Sequence, residues 1–404
     1  MRTEEQEVPA VYETLKRKFK DCFLHRPQYI FSAPGRTELG GNHTDHQHGL
    51  VLAGAVSLDT RAAVAVNDSG VIRVQSEGYP LCIVSLEALA PQEGERGKTA
   101  ALVRGVAARI VELGGKPCGF DAYVESSVLP GSGLSSSAAF EVLMAAICNR
   151  LFLDGALGPV RLAQIGQYAE NVYFGKPCGL MDQTASAVGG IITIDFADPA
   201  APVVTPVPFD FAACGHALCI IDSGADHAGL TAEYASIPAE LKCVCGFFGR
   251  EFLRDVSEEE FYRRLPEVRA CAGDRAVLRA IHVFEDNRRV RRQVCALQEG
   301  RFEDFLHEVS ASGASSWQYL QNVTPTGSTA HQALAIALSQ AGRLLEGRGA
   351  CRVHGGGFAG TIQAYVPLDL LPRFLEGMEQ VLGKGSCHVL SIRQEGCGLL
   401  EVCE

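Results

Sequence analysis

The sequence has no C-x-x-C pair, although fifteen cysteines are scattered through its 404 residues. That absence excludes zinc-ribbon spacing. The odd count in a long chain argues against a secreted disulfide framework, so free buried thiols in a reducing cytosol are expected. No stretch approaches the ~18 apolar residues of a membrane span. The N-terminus, MRTEEQEVPAVYETLKRKFK, lacks the apolar run of a signal peptide. Positive charge is in deficit, with 36 Lys and Arg against 47 Asp and Glu and a formal net charge of −11. Such a chain repels phosphate backbones, which argues against a general nucleic-acid partner but leaves room for a local phosphate pocket. There is no internal repeat and no low-complexity segment. What is present is ordinary for a globular chain: 47% hydrophobic and 21% charged residues. The length suits two domains or one large one. The expectation is a cytoplasmic enzyme with no membrane partner.

Apolar residues at steps of four predict an amphipathic helix over 11–23. A strand follows at 29–33, expected to break at Pro34-Gly35, and short strands at 62–66, 71–75 and 81–84. Helices are predicted over 98–113, 138–151 and 160–173, and strands at 120–125 and 191–196. Residues 198–208 are rich in Pro and Ala and mark a candidate domain boundary. Beyond it come a strand at 217–222, a mostly helical stretch over 232–347, and strands at 361–366 and 388–392. Strands and helices occur in both halves without steady alternation, which points to α+β.

Four segments can carry chemistry. Residues 130–138, PGSGLSSSA, form a Gly/Ser loop between a strand and a helix. Glycines let backbone approach a ligand, and the N–H groups of a helix start attract anions. The same residues also suit a Ser-capped turn, and no Gly-Lys-Ser/Thr follows to make a Walker loop. Residues 34–48 pack Arg36, Glu38, Asn42, His43, Asp45, His46 and His48 into a Gly-rich run. That run offers donors and acceptors to a polyhydroxyl ligand, ligands to a metal, or simply a solvated surface. Glu170 and Asp182 could hold a metal and take a proton, or be solvated acids. The run Gly355-Gly356-Gly357-Phe358-Ala359-Gly360 is either a close approach to a ligand or a bulged turn.

In this order the segments resemble the GHMP small-molecule kinases and, within them, the galactokinases. Pro34-Gly35-Arg36 with His43-Thr44-Asp45 resembles their sugar signature, and residues 130–138 their P-x-x-x-G-L-x-S-S-A loop. Ala169-Glu170-Asn171 with Cys178-Gly179-Leu180-Met181-Asp182-Gln183 resembles their A-E-x…C-G-I-M-D-Q block. Ser223, Glu233-Tyr234, Arg279-Ala280-Ile281-His282 and residues 355–360 match later blocks. The resemblance implies a two-domain α+β fold, with a domain like ribosomal protein S5 domain 2 over 1–205 and a ferredoxin-like domain over 206–404. It implies ATP and a sugar in the cleft and ATP-dependent phosphorylation of the C1 hydroxyl of galactose; the sequence does not give the oligomeric state, for which a monomer is favoured. Gly131, Gly133, Ser135 and Ser136 would cradle the ATP phosphates, with Ser76 near the nucleotide. Ser137 and Glu170 would hold Mg²⁺. Asn42, His43, Asp45, Asp182 and Tyr234 would line the sugar, with Asp182 as general base and Arg36 as the transition-state cation.

The chain also departs from that pattern. Where the family reads G-R-x-N-L-I-G-E-H-T-D-Y, Glu38, Gly40, Asn42 and His46 replace Asn, Ile, Glu and Tyr. The stretch after Tyr234 and residues 310–324 have diverged, and His354 and Ala359 stand for Thr and Gly in the last Gly motif. The phosphate and catalytic segments are intact, while those that choose the sugar are altered. Galactose is the expected substrate. A kinase for a related sugar such as galacturonate, which Asn42 and a protonated His43 would tolerate, and a catalytically silent sugar sensor are the alternatives.

Overall fold

The structure, a computed structural model, describes residues 4–128, 133–225 and 229–403, with side chains from residue 11 onward. Among the described residues, the first half builds seven strands: β1 (Tyr29–Gly40), β2 (Leu50–Asn67), β3 (Val71–Ser76), β4 (Cys82–Ser85), β5 (Gly119–Ser126), β6 (Ile191–Asp195) and β7 (Val203–Pro206). β2 is long enough to serve two partners. Its residues 60–67 pair with β5, and its residues 50–54 pair with β6. The β3–β5 pair is parallel and the other pairs of this sheet are antiparallel.

β1 does not stop at Pro34-Gly35 as the sequence suggests. Pro34 is opposite Asp59 and Arg36 is opposite Ala55, so a bulge absorbs the proline and the strand runs on to Gly40. Proline lacks the ladder N–H and is tolerated in a strand at such a bulge. Arg36, Thr37 and Glu38 are thereby held on a paired strand.

Helices α1 (Glu4–Phe23), α2 (Thr99–Glu112), α3 (Ser136–Leu153), α4 (Pro159–Tyr168) and α5 (Met181–Val188) belong to the same half. α1 buries Leu15 and Phe19, two of the residues at steps of four. α3 corrects one expectation: at 18 residues with a mean hydropathy of 1.3 it is long and apolar enough to cross a membrane. It is nevertheless 67% buried and carries the buried Glu141 and Asn149, as a core helix does. α4 ends five residues earlier than predicted. The chain then widens into a π-helical turn, Ala169–Phe174, of the kind that clusters at functional sites.

The second half contributes β8 (His216–Asp222), β9 (Ala350–Val353), β10 (Thr361–Pro367) and β11 (Cys387–Leu390), an antiparallel sheet in the order β11-β8-β10-β9. It shares a core with the helices Ala333–Leu345 and Leu371–Leu382, through Val353, Ile362, Phe374 and Met378. The 25-residue helix Asp274–Gln298 packs against β1 and β2 of the first sheet. β12 (Gly398–Val402), which no local pattern announced, returns to pair with β1, Tyr29 opposite Val402. We propose a domain division close to residue 205, at the end of β7, crossed by that last strand. All fifteen cysteines are free. Only Cys148, Cys219 and Cys245 are buried, fewer than expected, while Cys22, Cys243, Cys271 and Cys295 are exposed.

Candidate active site

The phosphate-loop segment is stapled to β1 just past the bulge. The Arg36 backbone N–H donates to the Leu134 carbonyl at 3.0 Å. A Cβ on Gly35 would sit 3.0 Å from that carbonyl oxygen, so only glycine allows so close an approach without a shift. Ser135 has φ 60° and ψ 61°, a left-handed conformation uncommon for a residue with a side chain. Its Oγ donates to Asp182 Oδ2 at 2.5 Å. Arg36 Nε donates to Asp182 Oδ1 at 2.7 Å, and Arg36 Nη1 donates to the Gly133 carbonyl. Both carboxylate oxygens of Asp182 are therefore held, and the residue lies in the first turn of α5, where the helix favours an anion. Burial pushes the Asp182 carboxyl up, but the Arg36 charge and the hydrogen bonds from Arg36 and Ser135 outweigh it, so its pKa lies below the ordinary value. Gly131 lies outside the described residues.

Arg36 and Asp182 open onto a cavity of about 220 Å³ that Asn42, His43, Asp45 and Glu38 also line. Asp45 reaches it because residue 179 has no side chain: a Cβ there would meet Asp45 Oδ2 at 2.2 Å. His43 Nε2 lies 3.0 Å from the Gly356 carbonyl, and burial pushes its pKa down to about 4, so it is neutral at pH 7. That removes the protonated His43 invoked for an acidic sugar. The loop's histidines do not converge on a metal: the His43 and His46 rings are 6.4 Å apart, and His48 stacks on Phe252 at 3.6 Å. Tyr234 stands behind the cavity wall rather than in it. Its hydroxyl donates to the Gly357 carbonyl at 2.8 Å, and its ring would lie 2.7 Å from a Cβ on Gly356.

A second cavity, of about 340 Å³, brings Ser76 together with Ser136 and Ser137, along with Thr60, Tyr79 and Phe140. Glu170 opens the π-helical turn and is 3% exposed. Lys176 Nζ lies 3.2 Å from Glu170 Oε1, and Gln183 Nε2 donates to Glu170 Oε2 at 3.1 Å and to Glu141 Oε2 at 2.9 Å. Burial lowers the Lys176 pKa, but the Glu170 charge and hydrogen bond more than offset it and leave it raised. Burial, then the Glu170 charge, push Glu141 well above the ordinary carboxylate value. Glu141 Oε1 is buried with no hydrogen-bond partner among the described residues.

Sequence reasoning gave no site role to Glu38, Glu141, Lys176 or Gln183. Glu38 and Gln183 sit inside the segments it quoted and could have been found there, while Lys176 lies in the turn between Glu170 and Asp182. Glu141 lies on a helix, where an acid ordinarily faces water, and only burial marks it. Glu38 is 4% exposed and pairs with the buried Arg352 through Arg352 Nη2 and Glu38 Oε1. Burial pushes its pKa up, and Arg352 and Arg36 only partly pull it back.

Two family models match the chain, the GHMP kinases N terminal domain over residues 101–190 and the galactokinase galactose-binding signature over residues 17–66. A galactokinase of Streptomyces coelicolor is 34% identical over 296 residues, covering 72% of this chain and 74% of that protein. One of Actinobacillus pleuropneumoniae is 32% identical over 359 residues, covering 87% and 88%. Among solved structures, Lactococcus lactis galactokinase complexed with galactose superposes with a TM-score of 0.82 at 24% identity, covering 96% of this chain and 100% of that one. A mevalonate kinase superposes with a TM-score of 0.64 at 13% identity, covering 91% and 99%. These superpositions show the GHMP kinase fold.

Proposed function

The chain belongs to the galactokinase family of the GHMP kinases, and from that premise we infer that it transfers a phosphoryl group from ATP to the C1 hydroxyl of galactose, giving galactose 1-phosphate and ADP. The observation that carries the mechanism is Asp182, its carboxylate held by Arg36 and Ser135 on the wall of a polar cavity. Ser135 belongs to the Ser run whose next two members line the second cavity. The sugar would fill the first cavity and the nucleotide the second. Asp182 would accept the C1 proton on a carboxylate oxygen as the hydroxyl attacks, in line with the scissile P–O bond. The Arg36 guanidinium, beside both Asp182 and the loop, would offset charge on the transferring group. In such transfers positioning and electrostatics do nearly all the work.

Ser137, on the wall of the second cavity, and Glu170 offer the oxygen donors a hard cation prefers, but both Glu170 oxygens are engaged, Oε1 with Lys176 and Oε2 with Gln183, and would have to be released to hold Mg²⁺. Bound there, Mg²⁺ would neutralise charge on the phosphate oxygens. Glu170→Gln should raise the half-saturating Mg²⁺ concentration on the order of tenfold, because ligand charge sets affinity at such sites. A titration of activity against Mg²⁺ measures this, and an unchanged curve would leave Glu170 a structural acid.

Galactose is favoured over galacturonate, since the cavity holds the acids Glu38, Asp45 and Asp182 and a neutral His43. A silent sensor is disfavoured by the paired Arg36 and Asp182. ADP release measured with galactose, galacturonate, N-acetylgalactosamine and glucose tests the assignment. Galactose should give the highest kcat/KM and galacturonate essentially none. No turnover with any of the four would sink the assignment.

A further inference from the structure

Asn42 and Glu38 both line the sugar cavity, but they differ in what they have left to offer. Asn42 is 1% exposed and its side chain is committed to protein. Its Nδ2 donates to the Gly355 carbonyl at 2.7 Å and to Glu38 Oε1 at 3.1 Å, and its Oδ1 accepts from Asn322 Nδ2 at 2.9 Å. A carboxamide has two N–H donors, and both are used. The backbone is clamped as well, with its N–H donating to Asp286 Oδ2 at 2.8 Å and its carbonyl 3.0 Å from His282 Nε2. Glu38 is held by one oxygen only. Oε1 takes the Arg352 guanidinium, while Oε2, among the described residues, receives only the Asn42 amide at 3.4 Å. In the family motif Asn stands at position 38 and Glu at position 42, so this chain carries the same amide and the same carboxyl group with their places exchanged.

We propose that Glu38 is the residue that reads a sugar hydroxyl in this protein, by accepting its hydrogen bond on Oε2, and that Asn42 is a positioning residue that holds Glu38 against the cavity. This rests on the galactose assignment above. The hydroxyl it reads is remote from C1, which belongs to Asp182, and the ligand class is a neutral hexopyranose. Arg352 fixes the Glu38 carboxyl group from behind, so the acceptor is already oriented when the sugar arrives.

The test is binding of galactose and its 2-, 3-, 4- and 6-deoxy derivatives by calorimetry, with wild type, Glu38→Gln, Glu38→Asn, Asn42→Glu and the double exchange Glu38→Asn/Asn42→Glu. Wild type should bind one deoxy sugar at least ~10-fold more weakly than galactose, the scale of one lost hydrogen bond to an ionisable group. In Glu38→Gln that gap should shrink to about 3-fold or less as galactose itself weakens, whereas a purely structural role would weaken all five sugars alike. Asn42→Glu should bind galactose at least ~10-fold more weakly, since it sets a second buried acid beside Glu38. The double exchange should bind better than either single exchange. Equal discrimination among the deoxy sugars in wild type and Glu38→Gln, or additive losses in the double exchange, would overturn the proposal while leaving the galactose assignment standing. Wild type that binds galactose no better than glucose would overturn both.

Discussion

Asp182→Asn is expected to lower kcat at least ~100-fold, the usual scale for losing a positioned base. The substitution is close to isosteric, and Asn can still accept from Arg36 Nε through its carbonyl oxygen, while Ser135 can turn its hydroxyl to accept from the new amide. The network therefore survives in outline, and galactose affinity should change by less than ~5-fold, because a hydroxyl can still bond to the amide. The loss should fall on kcat rather than KM, which separates a role in the transition state from one in substrate binding. The wild-type pH profile gives a second check. The Asp182 carboxyl is held below its ordinary value by Arg36 and Ser135, so it stays ionised through the neutral range and is protonated only below the usual carboxylate range. An acid limb in kcat/KM above about pH 5 would then belong to another group. Near-normal turnover of Asp182→Asn rules out the base assignment.

Most of the candidate site was legible in the sequence because its parts are local. A Gly/Ser run, a Gly-rich polar run and a carboxylate block each announce themselves within about fifteen residues, and the fold brings them together around two cavities. What was not legible depends on partners far along the chain. β1 survives Pro34 because β2 supplies a bulged register, and it gains a neighbour in β12 from the other end of the sequence. Glu38 reads as a departure from a motif until Arg352, 314 residues away, is seen beside it. Glu170, ordinary on a helix surface, is buried because the π-helical turn and Gln183 enclose it. Tyr234 shows the opposite difficulty. The motif places it at the sugar, whereas here it supports Gly356 and Gly357 from behind, so its effect on substrate would pass through that backbone.

Arg36→Met is expected to cost about 10²–10³-fold in kcat, the loss seen when one preorganised donor to developing charge is removed. Met keeps much of the apolar stem of a residue that is 6% exposed, so the packing change is small. The guanidinium does two things at once: Nε holds Asp182 and Nη1 holds the Gly133 carbonyl. A lysine has no such fork, so Arg36→Lys should restore the charge but only part of the rate. The sharper consequence concerns pH. In the wild type the Arg36 charge is the largest influence opposing the burial that raises Asp182. Without it the Ser135 hydrogen bond and the Lys176 charge are the influences left against burial, so the carboxyl is expected to rise above its ordinary value and the acid limb of kcat/KM to move upward toward neutrality. The stability linkage reverses in the same way. A depressed Asp182 stabilises the fold above its unfolded pKa and loses that contribution as the pH falls through the folded value. In Arg36→Met the folded pKa is the raised one, so the protonated carboxyl stabilises at low pH and that gain disappears as the pH rises through it. The variant should therefore be relatively less stable at pH 8 than at pH 5, compared with wild type, in thermal unfolding. A rate loss with an unmoved acid limb and a parallel stability profile would mean that Arg36 acts on the phosphoryl group alone and does not set the charge state of Asp182.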